Sequence, residues 1–262
     1  MLLAVDIGNS NIVCGLYRGD ELVATFRFET MRSRTDDEQA ALLSQLLALR
    51  QISPTDIHAA IVSSVVPPLT DVLAGAIQEL TGVHPQVVGG PGLKTGIRIR
   101  CDNPREVGAD RIVNAVAAFE RVRGAVVVVD FGTATNFDCV SADGEYQGGV
   151  LVPGVQISLD ALVSRAAKLS RIEIGEPPRV IGRNTQHAMQ SGIIHGYSSL
   201  VDGLLEKIAA EFDTPFRTLA TGGLAPLICR HTKRVDEVLP NLTLDGLLLI
   251  HRRNAHGSRG EP

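Results

Sequence analysis

The chain has 262 residues, 44% hydrophobic and 21% charged, with a formal net charge of −4 at pH 7. That length is long for one ordinary domain and comfortable for two small ones, each with its own core. Both signs of charge are spread along the chain. No basic block argues for nucleic acid, and no basic amphipathic stretch argues for a membrane surface. The opening "MLLAVDIGNSN" lacks a basic n-region and meets Asp6 after four apolar positions, so neither a signal peptide nor an anchor is expected. The cysteines, Cys14, Cys101, Cys139 and Cys229, make no CxxC pair and no zinc spacing. Reduced thiols in a cytoplasmic protein are the expectation.

Taken in order, Leu2 to Val5 is an apolar run closed by Asp6, and Gly8 to Asn11 is a polar turn. Residues 12–17 return as a second strand and residues 21–29 as a third, which predicts a hairpin and its continuation. Residues 35–52 form an amphipathic helix, with Thr35 as N-cap and Glu38 completing a capping box. A strand (58–67), a helix (69–82) and a short strand (85–90) follow. The helix 109–122 is expected to join two halves that pack about a cleft. Beyond it come a hairpin (125–140), a strand (144–154), a helix (155–169), one or two long helices (184–212), a strand (216–223), a helix start (224–231) and a terminal helix (242–254). Residues 255–262 read as a frayed, disordered tail.

The hairpin "AVVVVDFGTATNFDCV" repeats the design of "MLLAVDIGNSNIVCGL": apolar strand, Asp, one apolar residue, Gly, small polar turn, second strand. Asp6 corresponds to Asp130, Gly8 to Gly132, and Cys14 roughly to Asp138. The chain is therefore expected to be a duplication, with domains at 1–118 and 119–262. An Asp at a strand end beside a glycine turn suits phosphate and metal. Glycine admits a phosphate without a Cβ clash, successive N–H groups make an anion nest, and the carboxylate suits Mg²⁺. Asn9, Ser10 and Asn11 add donors in the first copy; Thr133 and Thr135 are expected to do so in the second. A third strand–turn occurs at Thr221 to Gly223. Neither a GxxxxGK[ST] loop nor a GxGxxG after a strand is present.

These phosphate turns resemble those of the actin, hexokinase and Hsp70 superfamily. The resemblance implies an α/β fold of duplicated RNase H-like domains, with mixed sheets flanked by helices and ATP held between two hairpins. Taken together, "DIGNSNI", "NPREVGADR", "DFGTATNFD", "GGVLVPGV", "IGRNTQHAMQSG" and "ATGG" resemble the type III pantothenate kinase family from Leu2 to about Asn254. That family phosphorylates pantothenate with ATP to open coenzyme A biosynthesis.

By that resemblance, Asp6, Ile7, Gly8, Asn9, Ser10, Asn11, Ile12 and Val13 form the ATP-phosphate loop, with Asp6 also near Mg²⁺. Gly108, Ala109, Asp110 and Arg111 contact pantothenate, and Asp110 is the catalytic base. Thr133 contacts ATP, Thr185 contacts pantothenate, and Asp130 binds a monovalent cation, K⁺ or NH₄⁺. The resemblance also implies a homodimer with no nucleic-acid or membrane partner.

Two positions depart from the family pattern: Cys101 stands where Tyr is frequent, and Asn136 where Thr is usual. His187, His195 and His231 read as structural, and Lys94 as a solvated loop residue. The competing readings are another small-molecule kinase of the superfamily and a transcription accessory factor. The "VGADR" segment argues against the first, and the lack of a helix-turn-helix or basic stripe against the second.

Overall fold

The computed structural model describes residues 1–257, with side chains through Ala255. Strands β1 (Leu2–Ile7), β2 (Asn11–Arg18) and β3 (Glu21–Glu29) form an antiparallel meander. Helix α1 (Asp36–Ala48) starts on the expected capping box: the Thr35 side chain accepts from Glu38 N, and Thr35 N donates to Glu38 Oε2 at 2.8 Å. Next come β4 (Ala59–Ser64), α2 (Pro67–Thr81), β5 (Gln86–Val87) and β6 (Arg98–Ile99). Helix α2 opens on proline and closes at Gly82, whose φ of 72° gives a left-handed cap.

Helix α3 (Ala109–Val122) leads into β7 (Val126–Phe131), β8 (Ala134–Val140) and β9 (Glu145–Pro153). The rest comprises α4 (Val155–Arg165), α5 (Thr185–Ala209), β10 (Arg217–Thr221), α6 (Ala225–Ile228), β11 (Glu237–Val238) and α7 (Leu242–Gly257). The stretch expected as one or two helices is one, α5, of 25 residues. The tail expected to fray from about 255 is helical to Gly257, and residues 258–262 lie outside the described residues.

The chain divides into two compact units. The first holds residues 1–97, 102–117 and Leu242 onward; the second holds 98–101 and 118–241. This differs from a single break after residue 118, chiefly because α7 belongs to the first unit. The reason is burial. Leu244, Leu247, Leu248 and Ile250 of α7 share a core with Leu2, Ala4, Tyr17, Ile61 and Val113. Gly246 lets α7 pass close to α3: a methyl group there would overlap the Val113 carbonyl and lie 2.7 Å from Val113 Cγ1.

The first sheet runs β3-β2-β1-β4-β5, with β4 and β5 parallel to β1. Alternate residues of β1 face opposite ways. Leu3, Val5 and Ile7 meet Leu43, Leu47, Leu69 and Leu73 of α1 and α2, whereas Leu2 and Ala4 meet α3 and α7. The second sheet runs β11-β10-β7-β8-β9-β6. Without β6 its order and strand directions repeat those of the first sheet, strand for strand. Val127, Val129 and Phe131 pack against α4, α5 and α6. The protein is thus a mixed α/β chain with two sheets of duplicated topology.

Candidate active site

Asp6 is the penultimate residue of β1, paired with Val13 of β2 and Ser63 of β4. Gly8 N donates to Asn11 O at 3.0 Å and closes the turn, and a Cβ on Gly8 would lie 3.0 Å from that oxygen. Asn9, Ser10 and Asn11 are exposed at its tip. Ile7 and Ile12 are fully buried, so only their peptide groups remain to meet a ligand. Val13 is half-buried. Thr30, just past β3, braces the turn: its N donates to Ser10 O at 3.0 Å and its Oγ1 to Gly8 O at 2.7 Å.

Asp130 occupies the same place in the second unit, paired with Asn136 of β8 and Thr221 of β10. Gly132 N donates to Ala134 O at 3.0 Å. This turn is one residue shorter than the first: Phe131 pairs with Thr135, whereas Ile7 pairs with Ile12. The shortening corrects one sequence match, since by register Cys14 stands where Phe137 does, and Gly15 where Asp138 does. Thr133 is exposed at the turn. Thr135 is not a ligand donor as expected: it is fully buried, and its hydroxyl has no hydrogen-bond partner among the described residues.

The third turn is pressed onto this hairpin. Gly222 has φ of 94°, and a Cβ there would sit 2.6 Å from Phe131 O and 2.8 Å from Asp130 Oδ1. Only glycine permits both that backbone conformation and that approach. Opposite Asp130, the Asn136 Oδ1 is buried with no hydrogen-bond partner among the described residues. Buried Asp138 accepts a 2.8 Å bond from Tyr146 Oη.

Asp110 lies in the first turn of α3, half-buried. Its Oδ1 accepts from Arg111 N at 2.8 Å. Burial raises its pKa above the ordinary carboxylate value, against the opposing pull of that N–H and of the Arg111 charge. A carboxylate so placed is a stronger base than one in water. Gly108 makes room for it: a Cβ there would come 2.6 Å from Asp110 Oδ1 and 3.3 Å from Val65 Cγ1. Val65 N in turn donates to Ile7 O at 3.0 Å. Val65 therefore ties the Asp110 segment to the end of β1, where the phosphate turn begins. No sequence pattern marks Val65 or Thr30, since each acts through bonds to residues distant in sequence. Ala109 and Arg111 are half-buried beside Asp110.

Thr185 is the first residue of α5, exposed, after an Asn184 cap that accepts from His187 N at 2.8 Å. Among the described residues no hydrogen bond ties it to the hairpin of its unit. The histidines have structural neighbours. His231 Nε2 lies 2.8 Å from Glu176 Oε1, the His195 ring meets His231 edge-on, and His187 Nδ1 sits 3.2 Å from Asn184 Nδ2. Lys94 is clasped through its backbone by Asn254, with both bonds at 2.9 Å. Cys101 is half-buried beside Gly148. No cluster of three His, Cys, Asp or Glu residues that could hold a metal occurs among the described residues. No helix among them is long and apolar enough to cross a membrane.

Two sheets of one topology, each with an Asp and a glycine turn at the end of its first hairpin strand, define a duplicated α/β fold. A solved structure from Sinorhizobium meliloti, provisionally described as a 2-dehydro-3-deoxygalactonokinase, shares the fold. Its TM-score is 0.60 at 14% identity, covering 97% of this chain and 99% of that one. The family profile described as type III pantothenate kinase matches residues 2–207. A type III pantothenate kinase of Anaeromyxobacter dehalogenans (strain 2CP-C) is 51% identical over 254 residues, covering 97% of this chain and all of that one. One of Pelobacter propionicus is 52% identical over 255 residues, with the same coverage. The chain belongs to the type III pantothenate kinase family.

Proposed function

We propose that this protein transfers the γ-phosphoryl group of ATP to the primary hydroxyl of pantothenate, yielding 4′-phosphopantothenate for coenzyme A biosynthesis. The observation that carries the reading is the half-identical match, over nearly the whole length, to proteins named for that activity. In this reading Asp110 accepts the hydroxyl proton as the oxygen attacks phosphorus. Its raised pKa and its place at the start of α3 support that role. Gly108 and Ala109 shape the substrate side, Arg111 steadies an anionic group with its planar fork, and Thr185 makes a further pantothenate contact. The exposed donors Asn9, Ser10 and Asn11, with the peptide groups of Ile7, Gly8, Ile12 and Val13, receive the phosphates, and Thr133, exposed at its own turn, is a further candidate ATP contact. Positioning and charge neutralisation supply most of the acceleration in phosphoryl transfer.

Mg²⁺ neutralises phosphate charge when bound. The single carboxylate of Asp6 beside the turn fits an ion that keeps most of its waters. Asp130 is the candidate for a monovalent cation. The fit is chemical: the buried Asn136 side-chain carbonyl oxygen, which has no hydrogen-bond partner among the described residues, lies at the cross-strand position paired with Asp130, giving a hard-oxygen pair. A homodimer is part of the same proposal. Exposed Ile157 and Leu162 on α4, with Val180 and Ile181 before α5, leave apolar surface that a second copy would cover. Cytoplasmic residence, without nucleic-acid or membrane partners, completes the reading, and no disulfide among the four cysteines opposes it.

A coupled ADP-release assay with pantothenate, hexoses and acetate as acceptors tests the reaction. Turnover with pantothenate alone is expected. Turnover with a sugar and none with pantothenate would refute the substrate assignment.

A further inference from the structure

The segment between β3 and α1 has no counterpart in the second unit. There, Gly154 N donates to Thr133 O at 3.1 Å and helix α4 begins at the very next residue. In the first unit the equivalent bond, Thr30 N to Ser10 O at 3.0 Å, is followed by five residues, 31–35, before α1. The repeated topology closes without such a segment, so the fold does not require it. Thr30 bonds to Gly8 O and Ser10 O anchor its start directly on the phosphate turn.

Arg32 stands in this segment. Its Nη2 donates to Asn9 Oδ1 at 3.2 Å, and both residues are exposed. Among the described residues Arg32 has no ion pair. Arg98, Arg100, Arg121, Arg123 and Arg252, by contrast, each face a carboxylate. A guanidinium held against a neutral amide in open water gains little by itself. It does fix the amide. With Oδ1 occupied by Arg32, Asn9 presents its NH₂ donors away from the arginine. The guanidinium keeps further N–H donors in a planar fork suited to phosphate oxygens. The tip of the turn thus carries one positive charge and a donor-only amide, a combination that recognises an anion.

We propose that Arg32 is a polyphosphate-binding residue: it contacts the β- and γ-phosphates of the nucleotide directly and orients the Asn9 amide toward them. The inference rests on reading the Gly8–Asn11 turn as the phosphate site. It adds a side chain from outside that turn, on a segment peculiar to the first unit.

Calorimetric binding of ATP, ADP and AMP to the full chain tests it, with kcat and KM for ATP measured alongside. Arg32→Ala is expected to weaken ATP at least tenfold and to leave AMP within twofold. Arg32→Lys should fall between, because it keeps the charge and loses the fork. Arg18→Ala, at the far end of β2, is the control expected to match the wild type. Arg32→Gln, which keeps a polar side chain, guards against a fold defect and should behave like Arg32→Ala with an unchanged melting temperature. ATP affinity in both Arg32→Ala and Arg32→Gln within twofold of wild type would overturn the proposal. So would equal losses for AMP and ATP, since that marks a general disturbance of the turn. A wild-type protein that binds ATP no tighter than AMP would instead overturn the phosphate-turn reading itself.

Discussion

Gly108→Ala isolates the position of the proposed base from its identity. The added methyl would lie 2.6 Å from Asp110 Oδ1 and 3.3 Å from Val65 Cγ1, whereas ordinary contacts to a Cβ begin near 3.4 Å. The carboxylate must therefore retreat by about 0.8 Å, while Val65 gives by about 0.1 Å. Relief is cheap for folding, because the obstructed atom ends a short side chain that can rotate. We expect a loss of stability of only about 1 kcal/mol, at the lower edge of overpacking costs. Relief is expensive for chemistry, since a misplacement near 1 Å can cost about 10²-fold in rate. The expected result is a drop of about 10²-fold in kcat with pantothenate, ATP affinity within a few-fold of wild type, and a nearly unchanged denaturant midpoint. Steady-state kinetics beside calorimetric ATP binding and urea unfolding would measure all three. A variant with wild-type kcat would refute the claim that the Asp110 carboxylate acts from this position.

Asp110→Asn should abolish turnover while ATP still binds. Its stability has a definite sign: burial raises the folded-state pKa, so proton uptake favours the native state as pH falls through that value, and the charged form is penalised above it. The Asn variant is therefore expected to be at least as stable as wild type at pH 7, with any advantage vanishing in acid; urea midpoints against pH would check this. In the wild type, the acid limb of kcat/KM for pantothenate should fall above the ordinary carboxylate range, as a pH–rate profile would reveal. Gly222→Ala combines a φ of 94° with overlap on Phe131 O and Asp130, so a loss of about 2–4 kcal/mol is expected in thermal unfolding. Gly246→Ala drives a methyl into Val113 and should cost about 1–3 kcal/mol, read as a lower urea midpoint.

The hairpins, the long helices and the duplication were legible because they rest on local periodicity and on repeated residue types at repeated spacing. The α1 capping box is a clear instance, since Thr35 and Glu38 act within one turn of each other. The two-residue strand β6 was not legible, because its segment lacks the adjacent apolar pair, Val87 and Val88, that marked the equally short β5. The unit assignment of α7 was hidden for a different reason: Leu244 and Leu247 read as an amphipathic stripe, but the sequence does not say which sheet they cover. At the site, Asp6, Asp110 and Asp130 stand at the strand end, helix start and strand end that the motifs implied. Thr135 misled because turn proximity suggested a donor, whereas strand alternation turns its hydroxyl into the core. Val65, Thr30 and Arg32 escaped notice because their importance lies in contacts across long sequence separations.

The place of α7 also bears on how the protein is made. Leu2, Ala4, Tyr17 and Ile61 are covered partly by a helix that the ribosome delivers only after the second unit. The second unit, nearly all of it contiguous between residues 118 and 241, has its strands and helices before α7 exists. Vectorial synthesis ordinarily lets the amino-terminal domain finish first. Here the order is inverted: the first sheet must wait with one apolar face open, exposed to chaperones or to misassembly, until α7 has been made. A carboxy-terminal truncation that spares every proposed catalytic residue would therefore still leave the half that carries Asp6 and Asp110 unfinished.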